Sequence, residues 1–584
     1  MHEAVNNIRG IFANYDIGAY IIPSDNEYFI EYPAESYSRL KYMTNFTGSN
    51  GLVVIGQEVA LFFTDGRYLA QGKRQLDSRV FQIFDIKDLR YFPWSNYLND
   101  AEMFGYDPKL FSNLKLKIFS AIAPRLTKIS ENLVDQIWSN KPAAPSSQVY
   151  IHQVEFAGQT HNDKIAMCRD ILAEHSADTM IVTSIDSICW LLNLRANDTP
   201  YSPLMLSKVL ITNHQLYLFI NPSRITKEVA LARPEITILP EEKFADLLSQ
   251  GKKILVDENI VQSHIMDLLN SQLVEKIGEP CQLYKACKND IEIKHAINFH
   301  IEDAVALCEF FAYIFDLTNL HDYDEYELGE ILTKFRSKQD KYIMDSFPTI
   351  CGFKENSAII HYHATQIQSK KIVGNGILLI DSGGQYQGCT TDVTRTFIIG
   401  KPTNEQKIRY TQVLKGHIAL STIKFPANIT TGAHLDVLAR QFLWNDEQDY
   451  PHGTGHGVGS FLGVHEGPQN IHASSNITLK AGMILSNEPG YYKTNDFGIR
   501  IENLMYVRET QQNTPLTNHQ QFLEFCPLTL VPYAKELIEQ KMLNQDEKNY
   551  LKQYYQKITS HLSPLLSDHS KQWLATQTLP FTSD

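Results

Sequence analysis

Two stretches of this chain repeat one another at a nearly constant offset, and an internal repeat restricts the fold more than any single motif does. In "VNNIRGIF" Val5, Ile8 and Phe12 share one helical face, and the strand-like "AYIIPS" begins at Ala19. At an offset of 160 residues Ile165, Cys168 and Leu172 occupy the equivalent face, followed by "TMIVTS" from Thr179. "ALFFTDGR", ending at Arg67, and "LYLFINPSR", ending at Arg224, repeat the match at an offset of 157. A helical period followed by a short apolar strand, twice in the same order, predicts a duplicated α/β unit; a chance match of two ordinary helix–strand units is the alternative. "SNKPAAPSSQ" (139–148) has linker composition, and a second boundary falls near "GEPCQLYKACKND". After it Ile293, Ile297, Ile301, Ala304, Cys308, Phe311 and Phe315 recur at steps of four and three, an amphipathic helix. We therefore expect domains at 1–145, 146–288 and 289–584, the second repeating the first.

The net charge of −13 argues against a phosphate-binding surface, and so against nucleic acid as the main partner. The start lacks the basic end, apolar stretch and cleavage site of a signal peptide, and no apolar run approaches the ~20 residues that span a bilayer. The eight cysteines are scattered with no C-x-x-C pair. In so long a chain they read as free thiols of a reducing compartment. The expected location is the cytoplasm, with the N-x-S/T matches at Asn45 and Asn428 arising by chance.

The chemistry-bearing residues lie in the third block. In "NGILLIDSGGQYQGCTTDVTRTFIIG" an apolar strand runs into Asp381, and a second begins near Thr390. A β-hairpin there would bring Asp381 and Asp392 together near its turn, although acids that merely decorate a turn would look the same. "AGMILSNEPGYY" puts Glu488 at a strand end, stopped by Pro489 and Gly490. "FGIRIENLMYV" alternates, with Ile499 and Ile501 on one side and Arg500 and Glu502 on the other; an exposed polar strand face is the ordinary explanation.

"HGTGHGVGSFLGVHEGP" (452–468) packs three histidines and six glycines into 17 residues. His452 and His456 are spaced as on a zinc-binding helix, but so many glycines disfavour a helix. Bare backbone instead admits a close neighbour, either a strand or a ligand. A phosphate-cradling loop lacks its Lys-Ser/Thr and a helix N-terminus. If Asp381, Asp392, Glu488 and Glu502 converge, their mutual repulsion raises their pKa values unless cations are present. Two divalent ions with one imidazole would neutralise them. Oxygen-rich ligation favours Mn²⁺, with Zn²⁺ or Co²⁺ competing, and such a pair suits hydrolysis.

The ordered set Asp381, Asp392, His456, Glu488 and Glu502 resembles the metal-binding residues of the pita-bread metallopeptidases (family M24). The strings "DSGGQYQGCTTDVTRT", "HGTGHGVGSFLGVHEGP", "NEPGYY" and "FGIRIEN" are similar to the aminopeptidase P, or Xaa-Pro aminopeptidase, branch in its three-domain form. "FTDGRY", "VDQIW", "LLNLR" and "EDAVALCEFF" extend the likeness over nearly the whole chain. The resemblance implies an α/β and α+β architecture: two creatinase-like α/β domains, then a pita-bread catalytic domain with a curved antiparallel sheet. It also implies that Asp381 chelates one metal, that Asp392 and Glu502 bridge both, and that His456 and Glu488 complete the second site. Glu488 falls where the family places a proton acceptor. His361, His452 and His465 match substrate-binding histidines, with His361 and His465 also in catalytic positions, and Arg500 would orient Glu502. His361 is preferred to His363 because the family string reads Ile-His-Tyr.

The glycines would then let one ligand and two substrate histidines approach a crowded site without obstruction. The implied substrate is a peptide with penultimate proline, the implied assembly a homodimer. A prolidase, which takes Xaa-Pro dipeptides, is the nearest alternative. A non-catalytic pita-bread binding module is a third, but such relatives lose metal ligands. Cys389, three residues before Asp392, lies either beside the metals or in the core.

Overall fold

The computed structural model describes residues 2–98, 103–120, 125–269, 273–511 and 521–579. The chain divides into two compact units, Met1–Val154 with Gln159–Cys281, and Glu155–Gly158 with Gln282–Asp584.

The first unit holds two six-stranded sheets of one topology. Helix α1 (His2–Gly10) precedes strands β1 (Ala19–Pro23), β2 (Leu52–Gly56), β3 (Ala60–Thr64), β4 (Gln82–Asp85), β5 (Phe104–Tyr106) and β6 (Leu126–Lys128), in the order β4-β3-β2-β1-β5-β6. Helix α2 (His161–Glu174) precedes β7 (Thr179–Val182), β8 (Lys208–Thr212), β9 (Leu216–Phe219), β10 (Ile236–Leu239), β11 (Ile254–Val256) and β12 (Val274–Lys276), in the order β10-β9-β8-β7-β11-β12. In both sheets the central three strands are antiparallel and the outer pairings parallel. The matched segments of the sequence are thus equivalent elements: α1 and α2, β1 and β7, β3 and β9.

Strand alternation builds a core on each side of the first sheet. Tyr20 and Ile22 face Val53, Ile55 and Phe62, while Ala19 and Ile21 face Leu52, Val54, Leu61 and Phe63. Burial on both faces explains why β1 to β3 read as continuous apolar runs. Residues 141–148, in the Pro/Ser stretch, form no regular element.

The second unit begins with helix α3 (Asp290–Asp316), started by a capping box in which Asn289 and Glu292 exchange side-chain-to-backbone hydrogen bonds. Its C-terminal half buries the expected face, with Ala304, Cys308 and Phe311 in the core. Its first turns do not. Ile297 is exposed, and Ala296, Phe299 and Asp303 turn inward, so the buried stripe rotates as the packing partner changes.

Strands β13 (Ile350–Phe353), β14 (Gly376–Ser382) and β15 (Val393–Ile399) form one antiparallel sheet. Strand β16 (Lys424–Pro426) lies between helices α4 (Asn404–Thr422) and α5 (Gly432–Trp444), and after α5 come β17 (Gly455–Gly457), β18 (Glu466–Ile471), β19 (Ile484–Asn487), β20 (Gly490–Lys493), β21 (Phe497–Arg500), β22 (Asn503–Glu509) and β23 (Phe522–Pro527). Six of these pair antiparallel in the order β16-β23-β22-β19-β17-β18, while β20 and β21 form a hairpin. Helix α6 (Gln545–Leu562) packs Leu551, Tyr554 and Ile558 into the same core as α3.

Two strand expectations change in detail. The polar strand 497–507 is broken at Ile501–Glu502, and its Arg500–Glu502 face is not exposed: each is 1% accessible. The hairpin of β14 and β15 forms, with Asp381 opposite Thr394, but the intervening chain pairs separately as Gly384–Tyr386 with Cys389–Thr390.

Candidate metal centre

Each acid sits where a strand starts or stops. Asp381 ends the apolar run of β14, Asp392 immediately precedes β15, Glu488 follows β19, and Glu502 fills the break between β21 and β22. His456 is the middle residue of β17. The chain therefore presents its ligand-type side chains from strand ends, where the ladder holds the backbone but a side chain can leave the core.

Asp392, His456 and Glu502 place ligand atoms within 4.8 Å of one another, and they are the single such group of three or more among the described residues. His456 Nε2 lies 3.4 Å from Asp392 Oδ2 and 3.6 Å from Glu488 Oε1. Its Nδ1 lies 2.9 Å from the Gly457 carbonyl. A proton on Nδ1 leaves the Nε2 lone pair facing the carboxylates, as a metal ligand requires. Arg500 Nη2 donates to Asp381 Oδ2 at 2.6 Å, its Nη1 to Tyr492 OH at 2.8 Å and its Nε to Thr394 Oγ1 at 3.1 Å. Thr394 Oγ1 in turn donates to Glu502 Oε2 at 2.7 Å.

The electrostatics are those of an acid cluster short of positive charge. Burial, together with Asp381 and Glu488, pushes Asp392 well above the usual carboxylate range. Burial and the Asp392 and Asp381 charges do the same to Glu502. Burial and Glu502 raise Glu488 to about 7. Asp381 Oδ1 and Asp392 Oδ1 are buried without a hydrogen-bond partner. Orphaned carboxylate oxygens, three raised acids and an imidazole nitrogen aimed at them make a donor set that fits divalent cations.

The histidines surround this cluster. The rings of His465 and His456 meet edge to face with centroids 4.3 Å apart. His452 Nε2 lies 2.9 Å from Tyr492 OH, the hydroxyl that Arg500 also contacts. His361 and His363 are half-buried, just beyond residues Lys354–Ala358, a segment tied to β21 where Gly498 N donates to Ser357 Oγ at 2.7 Å. The structure therefore draws Asp381, Asp392, His456, Glu488, Glu502, Arg500, His452 and His465 into one network.

Two of the glycines admit a neighbouring strand. A Cβ on Gly455 would stand 2.0 Å from the Ser486 carbonyl, and one on Gly457 would stand 2.3 Å from the Glu466 carbonyl. These two permit β17 to press against β19 and β18, the strand neighbour that bare backbone admits. Cys389 is buried with Phe156, Phe299 and Tyr386, its Sγ 3.6 Å from His300 Nδ1, and burial pushes its thiol well up. Sequence reading missed Thr394 and Tyr492. Thr394 had a signal, two residues beyond Asp392 on an alternating strand; Tyr492 is explained only by the β20–β21 hairpin, which sets it beside Arg500.

Comparison with known proteins gives a consistent picture. Residues 300–509 match the model for metallopeptidase family M24, 521–581 that for its C-terminal region, and 5–136 and 140–292 two models for the creatinase/prolidase N-terminal domain. Xaa-Pro aminopeptidase 1 of Dictyostelium discoideum is 38% identical over 99% of this chain and 96% of its own. A probable Xaa-Pro aminopeptidase P of Aspergillus niger is 34% identical over 99% of each chain. The crystal structure of an X-prolyl aminopeptidase from Caenorhabditis elegans, described as a cytosolic enzyme with a di-nuclear active site, superposes with a TM-score of 0.93 at 30% identity, covering 99% of both chains. The prolidase of Pyrococcus horikoshii, at 22% identity, a TM-score of 0.50 and 64% of this chain, shares the fold. Two creatinase-type N-terminal modules, a pita-bread block with its acid–histidine cluster, and full-length relatives above 30% identity lead to one assignment: the chain belongs to the Xaa-Pro aminopeptidase branch of metallopeptidase family M24.

Proposed function

We propose that this protein removes the N-terminal residue from peptides whose second residue is proline. The observation that carries the reading is the cluster of Asp392, His456 and Glu502, with Glu488 and the Arg500–Asp381 pair attached, inside a chain similar over its full length to Xaa-Pro aminopeptidases. Asp381, Asp392, His456, Glu488 and Glu502 would hold two divalent ions, Mn²⁺ by preference with Zn²⁺ or Co²⁺ able to replace it. When bound, the ion pair supplies water activation and polarisation of the scissile carbonyl.

The chain's own residues do the rest. Glu488, its Oε1 3.6 Å from His456 Nε2, accepts the proton of the attacking water and returns it to the prolyl nitrogen as the bond breaks. His465, exposed beside His456, and His361 stabilise the carbonyl oxygen as charge develops, and His452 helps hold the peptide. Arg500 fixes Asp381 directly and Glu502 through Thr394. The bond before proline has no N–H, so a site with no acceptor facing that atom takes a substrate other peptidases refuse. The same reading places the enzyme in the cytoplasm as a homodimer, with domains 1–145, 146–288 and 289–584. No helix among the described residues is long and apolar enough to cross a membrane.

The test is hydrolysis of Arg-Pro-Pro by protein stripped with chelator and reloaded with Mn²⁺, beside a Gly-Pro control. Metal-dependent release of arginine is expected; cleavage of the dipeptide alone would make the protein a prolidase.

A further inference from the structure

Arg395, on β15, is 1% exposed and none of its hydrogen-bond partners is a carboxylate. Its Nε donates to the carbonyls of Pro532 at 3.1 Å and Val531 at 3.3 Å. Its Nη1 donates to the carbonyls of Thr394 at 2.8 Å and Glu502 at 2.7 Å. Its Nη2 reaches Asn503 Oδ1 at 2.7 Å, the Val531 carbonyl at 2.6 Å and Tyr554 OH at 3.1 Å. The guanidinium also lies over the Tyr533 ring, 4.9 Å from its centroid.

A buried cation with neutral partners alone is costly unless an anionic field compensates it. Those neutral partners include the main-chain carbonyls of Thr394 and Glu502. Position matters as much as charge. Glu502 N donates to the Thr394 carbonyl at 3.2 Å, and Thr394 Oγ1 donates to the Glu502 carboxylate. Arg395 grips the backbone carbonyls of both partners, so the pair is held through main chain and side chain together. Tyr554 brings in the C-terminal helix α6: its hydroxyl accepts from Arg395 and donates to the Val531 carbonyl at 3.0 Å.

We propose that Arg395 is a positioning residue for Glu502, and that helix α6 contributes to ion binding through it. The inference rests on the reading that Asp392 and Glu502 hold the ions. Its test is calorimetric titration of Mn²⁺ into metal-free full-length protein, comparing wild type with Arg395→Lys, Arg395→Met and Tyr554→Phe and recording melting temperature alongside. Arg395→Lys, which keeps the charge but loses the fork, is expected to weaken at least one Mn²⁺ by about tenfold, with Arg395→Met weaker still. Tyr554→Phe, deleting the hydroxyl that accepts from Arg395 and donates to the Val531 carbonyl, is expected to weaken it about two- to threefold. In turnover the two Arg395 variants should lose kcat while KM for the peptide moves less. Wild-type affinity and stoichiometry in Arg395→Lys and Tyr554→Phe, whatever their melting temperatures, would overturn the proposal. If the Arg395 variants do not fold, Tyr554→Phe decides alone. A wild type that takes up no Mn²⁺ would instead sink the metal site itself.

Discussion

Two buried arginines, one in each unit, stand among carboxylates and come to opposite results. Arg39 in the first unit is 3% exposed and donates twice to Asp135, both at 2.8 Å, and twice to Glu27, at 3.0 and 2.7 Å. All four oxygens receive a donor. Burial raises Asp135, but the hydrogen bonds from Arg39 and Lys141 outweigh it and hold that acid below its usual range. Arg500 in the second unit faces four acids, satisfies one oxygen of Asp381, and leaves Asp392, Glu488 and Glu502 raised. A closed charge pattern is what a structural ion pair needs. A surplus of buried anions destabilises the fold, and it persists where something else is meant to bind.

The comparison breaks most visibly at Glu488. Glu488→Ala should lower kcat on Arg-Pro-Pro by about 10³-fold while leaving the circular dichroism spectrum unchanged; a variant keeping most of its turnover would remove Glu488 from proton transfer. Arg39→Met is the converse experiment. It removes the partner of Glu27 and leaves Asp135 with Lys141 alone, and should cost about 1–3 kcal/mol in urea unfolding, with kcat per folded molecule unaltered. A fall in kcat of the folded fraction would mean that the two clusters are not separable. Arg500→Lys, which cannot reach Asp381, Tyr492 and Thr394 together, should weaken Mn²⁺ binding about 10–100-fold, measured by calorimetry.

Proton linkage sharpens the contrast further. A carboxyl whose folded pKa lies above its unfolded value keeps its proton longer in the fold, so stability falls as pH rises between the two values. For Glu488 that window runs from 4.5 to about 7. Divalent ions take the place of those protons, so the rise in melting temperature on adding Mn²⁺ should be larger at pH 8 than at pH 5. Equal gains at both would contradict raised acids at the site. The smallest effect belongs to Tyr492→Phe, which removes the hydroxyl shared by His452 and Arg500. It should raise KM about two- to tenfold, checked by steady-state kinetics on a tripeptide.

Much of this was legible in the sequence because the relevant signals are local. The repeat shows itself through α1 and α2 and the strands that follow, since each element carries its own period. The four acids and His456 can be singled out at strand ends and in a glycine-rich stretch, but their assignment as one ligand set, and the part given to Arg500, come from the resemblance to family M24. Networks that depend on pairing are another matter. The alternation around Arg500 and Glu502 looks the same whether the polar face meets water or a buried cluster, and only the opposing β15 decides which. Tyr492, Thr394 and Arg395 acquire their places from register and from a helix far along the chain, which no local period encodes. The glycines of β17 announced a close neighbour, a strand or a ligand, and the structure shows which: it is another strand.

The central claim is that the acid surplus of the second unit exists to hold two divalent ions. The most direct test is the stoichiometry of Mn²⁺ binding by metal-free protein at pH 8, measured by calorimetry and checked by elemental analysis after gel filtration. Two ions per chain, both lost in Asp392→Asn, is the predicted result. No binding, or binding that survives Asp392→Asn unchanged, would contradict it.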